Sequence, residues 1–154
     1  MDQDKERTLV IVKPDGVQRG LVGEIISRFE RRGFKIVGLK LMRITPELAA
    51  KHYEAHQGKP FYEPLVAFMT NGPAVMIALQ GRDVVRLVRN MMGALNPEDA
   101  APGSIRGDLA ISKRYNVIHG SDSPESGARE VGLFFSADEI LDYSRDMENW
   151  LKHE

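Results

Sequence analysis

The chain has 154 residues, of which 42% are hydrophobic and 28% charged, and its formal net charge is -1 at pH 7. This balance predicts a single globular domain over residues 1–154 and excludes a broad nucleic-acid-binding surface, so no stable nucleic-acid partner is expected. The lack of cysteine excludes disulfides, thiolate catalysis and Cys-ligated metals, and the apolar runs are too short to span a bilayer, so we expect a cytoplasmic protein with no membrane partner.

Hydrophobic periodicity predicts strands and helices along most of the chain. Short β-branched or apolar runs predict strands, and apolar residues three and four apart predict amphipathic helices. Proline after Thr45 or Ser123 predicts a helix start, and Gly33 and Gly93 predict helix ends. We predict strands at 8–12, 34–44, 75–79 and 116–119, the first of them closed by a turn at 13–16. We predict helices from 22 to Gly33, from 45, at 61–69, from 84 to Gly93 and at 123–131.

Residues 94–115 show no periodicity because prolines and glycines interrupt them. A loop this long in a compact domain is usually functional, so we predict a working loop. The C-terminal segment around Trp150 is expected to pack onto the domain. The order of elements predicts a ferredoxin-like split βαβ fold, an α/β (α+β) sandwich whose mainly antiparallel four-stranded sheet is covered by helices.

His119 is the candidate nucleophile. It ends a predicted strand and precedes Gly120, which permits close approach of a ligand. A neutral imidazole is a good nucleophile near pH 7, and the phosphoramidate that it forms can pass its phosphoryl group onward. Taken alone, a histidine in this position is more often structural. Glu130 on the next helix could accept a hydrogen bond from the imidazole and fix its tautomer, or it could be a plain exposed carboxylate.

Phosphoryl transfer requires fixed positive charge around the phosphates. Lys13 ends the first strand, Arg89 lies on a helix and Arg106 lies in the long loop. Each also has a simpler interpretation: a polar strand end for Lys13, a solvated helix face for Arg89, and a salt bridge with Asp108 for Arg106. Taken singly, these simpler interpretations are the better ones.

Aromatic residues and paired histidines suggest two further roles. Phe61 and Tyr53 could offer a nucleotide an aromatic face and a hydroxyl, although Phe61 could equally belong to the core or to a hydrophobic staple. His52 and His56 are four residues apart, as in a helical zinc site. Glutamate does not directly follow the first histidine and no third ligand is evident, so we predict no metal held by protein ligands.

Three motifs together resemble the nucleoside diphosphate kinase family. They read Lys-Pro-Asp-Gly-Val-Gln-Arg at 13–19, Pro-Gly-Ser-Ile-Arg-Gly-Asp at 102–108 and Asn-Val-Ile-His-Gly-Ser-Asp at 116–122. Their order and spacing match the family, and the similarity runs nearly end to end. The resemblance implies ping-pong transfer of a γ-phosphoryl group from a nucleoside triphosphate to a nucleoside diphosphate.

The resemblance also assigns expected roles to single residues. It makes His119 the phosphorylated nucleophile and Glu130 its orienting partner, and Phe61 would stack on the base without regard to its identity. Mg²⁺ would arrive with the nucleotide and bridge its phosphate oxygens. The remaining expected site residues are Lys13, Arg89 and Arg106 around the phosphates, Asn116 at the sugar and Tyr53, which helps to shape the site.

Two positions depart from the family pattern. Leu95 stands where a phosphate-contacting threonine is usual, and Lys113 stands where a small aliphatic residue usually covers the base. We therefore predict a competent enzyme with altered nucleotide binding. The resemblance also implies a homo-oligomer, and the residues beyond the last predicted helix favour a hexamer over a tetramer.

Two other kinds of function remain open on the residues alone. One is a nucleotide- or RNA-binding module that uses a ferredoxin-like sheet without catalysis. The aromatic-rich strand signature of RNA-recognition sheets is absent, which weighs against it. The other is a protein whose main task is assembly through the long loop, a task that would not exclude catalysis.

Overall fold

A four-stranded antiparallel sheet forms the centre of the computed structural model, which describes residues 3–152. The strand order is β2-β3-β1-β4, so β1 pairs with both β3 and β4. This order confirms the predicted split βαβ arrangement with its mainly antiparallel sheet. The strands are β1 (Arg7–Val12), β2 (Lys35–Arg43), β3 (Pro73–Gln80) and β4 (Ile118–Gly120).

Helices cover the sheet, and most of them lie where apolar periodicity predicts them. Short 3-10 turns at Gln3–Lys5, Glu54–His56, Pro97–Asp99, Ala137–Glu139 and Asp146–Trp150 join or extend them. Within residues 3–152, no helix has the length and apolar character needed to cross a bilayer. The helices are α1 (Pro14–Gln18), α2 (Val22–Arg32), α3 (Pro46–His52), α4 (Tyr62–Thr70), α5 (Val84–Met92), α6 (Ile105–Leu109) and α7 (Pro124–Phe134).

The two faces of the sheet bury different apolar clusters. Successive side chains of a strand point to opposite faces, so Val10 joins one cluster and Leu9 the other. Phe29 of α2 is fully buried in the first cluster, and Phe134 of α7 lies in the second. Full burial of a side chain of this kind stabilises a fold by about 1.5–3 kcal/mol. The second cluster therefore anchors α7, which carries Glu130.

The predicted helix boundaries are confirmed by their capping contacts. The Thr45 hydroxyl accepts a hydrogen bond from the Leu48 N–H at 3.1 Å at the start of α3. The Ser123 hydroxyl accepts one from the Ser126 N–H at 3.1 Å at the start of α7. Gly33 follows α2 with φ of 102°, a conformation that glycine adopts without steric cost.

The predicted turn at 13–16 is wrong, because these residues begin helix α1. Pro14 occupies the first helical position, where its missing N–H costs nothing and its fixed φ suits the helix. The Val17 N–H donates to the Lys13 carbonyl at 3.1 Å, which closes the first turn. The chain therefore leaves β1 directly into a short helix.

Two other predicted boundaries also need correction. Residues 94–115 are not structureless: they contain the turn Pro97–Asp99 and helix α6. The Ser104 hydroxyl caps α6 by accepting a hydrogen bond from the Gly107 N–H at 3.1 Å. The strand predicted at 116–119 runs instead over Ile118–Gly120. Val117 has φ of 74°, which takes the preceding residues out of the extended conformation.

The C-terminal segment packs onto the domain, as predicted, but Trp150 does not carry the packing. Trp150 is 88% exposed. Arg145 instead donates hydrogen bonds to the carbonyls of Gly33 at 3.1 Å and Phe34 at 3.3 Å, and the Tyr143 hydroxyl donates to the Ile36 carbonyl. The segment is thus held at the end of α2 and the start of β2 by polar contacts to the backbone.

Candidate active site

His119 and Glu130 form the centre of the site. Strand β4 places His119 opposite Ile11 of β1, and helix α7 brings Glu130 against it. The His119 Nε2 lies 2.8 Å from the Glu130 Oε1. An ionised carboxylate can only accept hydrogen bonds, so Nε2 carries the hydrogen and Nδ1 keeps its lone pair. The ring is therefore oriented with a nucleophilic nitrogen available.

The ionised state of Glu130 follows from its hydrogen bonds. Burial alone raises the pKa of this carboxyl, but the hydrogen bonds from His119 and Ser121 outweigh burial and lower the pKa below its usual value. The Ser121 hydroxyl donates to Oε1 at 2.9 Å and accepts from the Leu9 N–H at 3.0 Å. The simpler interpretation of Glu130 as an exposed carboxylate is wrong, because the residue is buried.

The three predicted cations converge on the segment that contains His119. The Lys13 ammonium donates to the Asn116 Oδ1 at 2.8 Å, and Arg89 donates to the Gly120 carbonyl at 3.3 Å. Arg106 is buried and donates to three carbonyls that surround it. These acceptors are the carbonyls of Asn116 at 3.3 Å, Gly93 at 3.3 Å and Ile118 at 2.7 Å.

The alternative of a salt bridge between Arg106 and Asp108 is wrong. Asp108 pairs with Arg28 instead, at 2.8 Å. Within residues 3–152, none of Lys13, Arg89 and Arg106 forms an ion pair with a carboxylate. Carbonyl and amide oxygens orient these cations, and Asp15 near Lys13 and Asp122 near Arg89 offset their charge only in part. The remaining positive charge suits a site for a polyanion.

The pKa values of the cations show that they crowd one another. Burial and the nearby Arg106 lower the pKa of Lys13 from 10.5 to about 8. Burial and the nearby Arg89 lower the pKa of Arg106 from 12.5 to about 10. Each charged form is thus less favourable here than in water, and an arriving phosphate would relieve the mutual repulsion.

Val117 lies in the motif at 116–122 and is hydrogen-bonded to the motif at 13–19. Its backbone conformation is strained. Its φ of 74° is unusual for a β-branched residue and costs on the order of 1–3 kcal/mol. The Val117 N–H donates to the Asp15 Oδ2 at 3.1 Å, and the Val117 carbonyl accepts from the Lys13 N–H at 2.8 Å. These two bonds hold Asn116 beside Lys13. Sequence reasoning did not select Asp15, although it lies within the first motif.

A row of aromatic rings runs from His119 towards solvent. The His52 ring lies 5.0 Å from the His119 ring and 4.4 Å from the ring of Tyr53, which is buried. The His56 ring lies 6.5 Å from that of Tyr53 and 5.2 Å from that of Phe61. Phe61 is 50% exposed, so its interpretation as a core residue is wrong and its ring is accessible to a ligand.

His52 is buried without a hydrogen-bond partner. The residue is 8% exposed, and neither ring nitrogen has a partner among the described residues. Burial, with a smaller contribution from His119, lowers the pKa of His52 from 6.5 to about 3, so the ring is neutral at physiological pH. Sequence reasoning considered His52 only with His56. The contacts with His119 depend on the fold and have no local signal.

The two departures from the family pattern lie on the long loop. The Leu95 side chain is exposed, and its carbonyl accepts a hydrogen bond from the Asn116 Nδ2 at 3.5 Å. The backbone of Leu95 therefore lies beside the Lys13–Asn116 pair. Lys113 is exposed and precedes the segment that leads to β4.

A histidine whose ring is oriented by a carboxylate, with Nδ1 available and three cations beside it, defines a site for phosphoryl transfer. Similarity to known proteins supports the assignment to phosphoryl transfer. Residues 6–140 match the family description "Nucleoside diphosphate kinase". The chain therefore belongs to the nucleoside diphosphate kinase family, its resemblance to that family is confirmed, and its reaction class is phosphoryl transfer between nucleotides.

Individual relatives are similar over nearly the whole chain. The nucleoside diphosphate kinase of Carboxydothermus hydrogenoformans is 60% identical over 146 residues, which cover 95% of this chain and 98% of the relative. That of Pelotomaculum thermopropionicum is 59% identical with the same coverage. The structure of a halophilic nucleoside diphosphate kinase from Halobacterium salinarum in complex with CDP has a TM-score of 0.94 at 50% identity, covering 97% of this chain and 99% of that one.

Proposed function

We propose that this chain transfers the γ-phosphoryl group of a nucleoside triphosphate to a nucleoside diphosphate through the Nδ1 of His119. The hydrogen bond of 2.8 Å between His119 Nε2 and Glu130 is the observation that carries this proposal. Nδ1 attacks the γ-phosphorus, and the bond to the oxygen bridging the β- and γ-phosphorus atoms breaks, which releases a diphosphate. A terminal oxygen of the second diphosphate then attacks the phosphohistidine and restores the free ring.

The three cations stabilise the charge that moves during each transfer. Lys13 and Arg106 act on the phosphates while Arg89 lies beside Gly120, next to the nucleophile. Preorganised positive charge in a partly dry site is a large source of rate acceleration in such reactions. Lys13 and Tyr53 belong to the catalytic group in this proposal, Lys13 through its charge and Tyr53 by shaping the pocket beside His52.

Mg²⁺ is bound with the nucleotide in this proposal. The ion would neutralise part of the phosphate charge, and Mg²⁺ usually keeps several water ligands. Glu130 is the carboxylate in contact with the nucleophile, and its Oε1 already accepts hydrogen bonds from His119 and Ser121. The side chains expected to contact the phosphates, those of Lys13, Arg89 and Arg106, are cations. This arrangement favours an ion held by the substrate over one held by a cage of protein ligands.

The base binds at Phe61, at the outer end of the aromatic row, and the sugar binds near Asn116. Phe61 stacks on the base, and Asn116, which already contacts Lys13, meets the sugar. Stacking tolerates any base because each has a π-face, so we expect a broad nucleotide range. The solved complex of the Halobacterium salinarum relative with CDP supports a nucleotide pocket in this chain.

A coupled assay tests the proposed activity directly. Purified chain is given GTP and ADP, and ATP formation is followed with and without Mg²⁺. We expect rapid, Mg²⁺-dependent formation of ATP and, with GTP alone, a stable phosphorylated chain. Nucleotide binding without transfer would overturn the proposal and favour a binding module instead.

Leu95→Thr is expected to increase kcat/KM for a nucleoside triphosphate. A threonine hydroxyl at this position would contact a phosphate and supply about 1–3 kcal/mol, which corresponds to about fivefold or more in kcat/KM. Leu95→Val is the matched control, because valine has the shape of threonine without its hydroxyl. Equal kinetics for the two variants would show that residue 95 does not contact the phosphates.

The lowered pKa of Lys13 predicts an alkaline limit on activity. Since kcat/KM reports the free enzyme, we expect it to fall as pH rises through about 8 and Lys13 loses its proton. Lys13→Arg should be less active at pH 7 because a guanidinium fits this position poorly, but its profile should lack the decline near pH 8. If kcat/KM of Lys13→Arg falls over the same alkaline pH range as that of the wild type, a group other than Lys13 causes the decline.

We also propose that the chain is a homo-oligomer, with a hexamer favoured over a tetramer. Strand β2 lies at an edge of the sheet, and its Leu39 and Leu41 are 50% and 65% exposed. An exposed apolar edge strand is a ready surface for pairing with a second copy. Light scattering should give a mass that is a multiple of 17.3 kDa, and Leu41→Lys should lower it. A wild-type monomer at micromolar concentration would contradict this prediction.

A single catalytic domain over residues 1–154 and a cytoplasmic location complete the proposal. The two apolar clusters pack on opposite faces of one sheet, and the helices that carry site residues all rest on that sheet. This shared sheet supports one folding unit. The cytoplasmic location remains a prediction from the sequence.

A further inference from the structure

We propose that His52, His119 and Glu130 form a binding site for a borderline-soft divalent cation such as Zn²⁺, and that an ion bound there blocks the nucleophile. The donor atoms of these three residues all lie within 4.8 Å of one another. They come from three different elements, α3, β4 and α7. The set differs from the His52 and His56 pair that the sequence suggests.

The state of His52 points to a ligand. Buried polar groups are nearly always hydrogen-bonded, and an unsatisfied one costs about 1–3 kcal/mol. His52 is 8% exposed and has two ring nitrogens without a partner among the described residues. Its ring packs edge-on against the His119 ring at 5.0 Å. A cation between the two rings would give one of these nitrogens the partner that the described residues do not supply.

The ligand atoms of the cluster, two imidazole nitrogens and one carboxylate oxygen, favour Zn²⁺ over Mg²⁺. Two imidazoles and one carboxylate are a common set for Zn²⁺, which takes three protein ligands and leaves the fourth position to water. Mg²⁺ prefers six oxygen ligands in octahedral geometry and gains little here. Nitrogen and oxygen ligands about 2.0–2.2 Å from zinc lie about 3.4 Å apart, so side-chain shifts of roughly 1–1.5 Å would close the site.

Ser121 would support such a site, whereas the positive charges of Lys13 and Arg129 near His52 would oppose it. The Ser121 hydroxyl donates to Glu130 at 2.9 Å and so fixes the carboxylate, as outer partners of metal ligands do. His119 is only partly buried, so an ion can reach the cluster from the substrate side.

The proposed inhibition rests on the proposed function, whereas cation binding does not. A bound ion would occupy the Glu130 carboxylate and a nitrogen of His119. If it takes Nδ1, it removes the attacking lone pair directly. If it takes Nε2, it replaces the hydrogen bond to Glu130 and withdraws electron density from the ring, which weakens Nδ1 as a nucleophile. Either geometry should lower phosphorylation of His119 while leaving the fold intact.

Calorimetric titration of the full chain with ZnCl₂ alone tests the site. We expect one Zn²⁺ per chain in the wild-type protein. His52→Phe keeps an aromatic ring and removes the unpartnered nitrogens, so it should fold normally. It should weaken the Zn²⁺ affinity by more than the roughly 10- to 100-fold that loss of an outer partner costs. His56→Gln is the matched control and should bind Zn²⁺ as the wild type does.

Two further measurements distinguish a wrong cation site from a wrong inhibition and from a wrong proposed function. Co²⁺ bound to the wild-type chain should show the visible absorption of a tetrahedral site, which gives a readout that needs no variant. Equal Zn²⁺ affinity in wild type and His52→Phe, or loss of binding in His56→Gln, would overturn the site. Zn²⁺ binding with undiminished phosphorylation would overturn the inhibition. Failure of transfer in the assay with Mg²⁺ and without Zn²⁺ would count against the proposed function and leave the calorimetry unaffected.

Discussion

Replacing His119 by alanine is expected to abolish acid-labile phosphorylation of the chain by a γ-labelled nucleoside triphosphate and to lower kcat by at least about 10⁴-fold. The variant lacks the nitrogen that attacks phosphorus, and it also lacks the ring that Glu130 orients through a hydrogen bond of 2.8 Å. Nucleotide binding should persist, because Lys13, Arg106 and Phe61 remain in place. Label transfer and nucleotide affinity are measured on the same preparation.

His56→Ala is the control for this experiment. His56 lies in the aromatic row next to Phe61 and makes no contact with Glu130, so its loss should leave phosphorylation of the chain intact. Both variants should fold, and the melting temperature of His119→Ala should be the lower one because buried Glu130 loses its hydrogen bond from His119. Acid-labile phosphate at wild-type stoichiometry in His119→Ala would refute the assignment of the nucleophile.

Lys13→Met is expected to lower kcat/KM by about 10²- to 10³-fold at pH 7, the range seen when one preorganised donor is removed from a charged transition state. The ammonium of Lys13 is oriented by Asn116 at 2.8 Å, and methionine supplies similar bulk without charge. Steady-state kinetics with one nucleotide pair measures the loss. Lys51→Met, at an exposed position on α3, is the matched control and should have normal kinetics.

The same substitution should not destabilise the fold. The folded chain lowers the pKa of Lys13 to about 8 from 10.5, so below pH 8 the charged lysine is less favourable in the folded than in the unfolded state. This cost is fully present at pH 7 and diminishes as pH rises towards 10.5. Lys13→Met removes it, so the melting temperature at pH 7 should equal or exceed that of the wild type. A clear drop in melting temperature together with lost activity would indicate a structural role.

The sequence predicts the fold well where hydrophobic periodicity is strong. The apolar run of β1, the spacing in α2 and the caps at Thr45 and Ser123 all predict elements that the structure contains. Helix α1 was missed because Pro-Asp-Gly also suits a turn, and only the continuation to Gln18 distinguishes the two. The left-handed backbone at Val117 has no local signal, since Val117 donates a hydrogen bond to Asp15 and accepts one from Lys13, both distant along the chain.

The site likewise contains features that the sequence predicts and features that it does not. His119 and Glu130 lie eleven residues apart on neighbouring elements, and a strand followed by a helix brings them together in a predictable manner. The environment of His52 could not be predicted in full, because the rings of His119 and Phe134 that pack against it come from residues far away along the chain. Buried, unpartnered nitrogens appear only when packing is known. The motifs therefore predict the residues of the site, whereas the fold determines their states.

The backbone carbonyls around Arg106 have a consequence for ligand-linked stability. They hold the guanidinium in place without an ion pair among the described residues, and the positive charges of Lys13 and Arg89 lie close to it. The folded chain therefore contains mutually repelling positive charges, and a bound counterion would reduce this repulsion. The substrate's own phosphates are that counterion, so an empty pocket should be the weakest part of the fold and occupancy should tighten the whole domain.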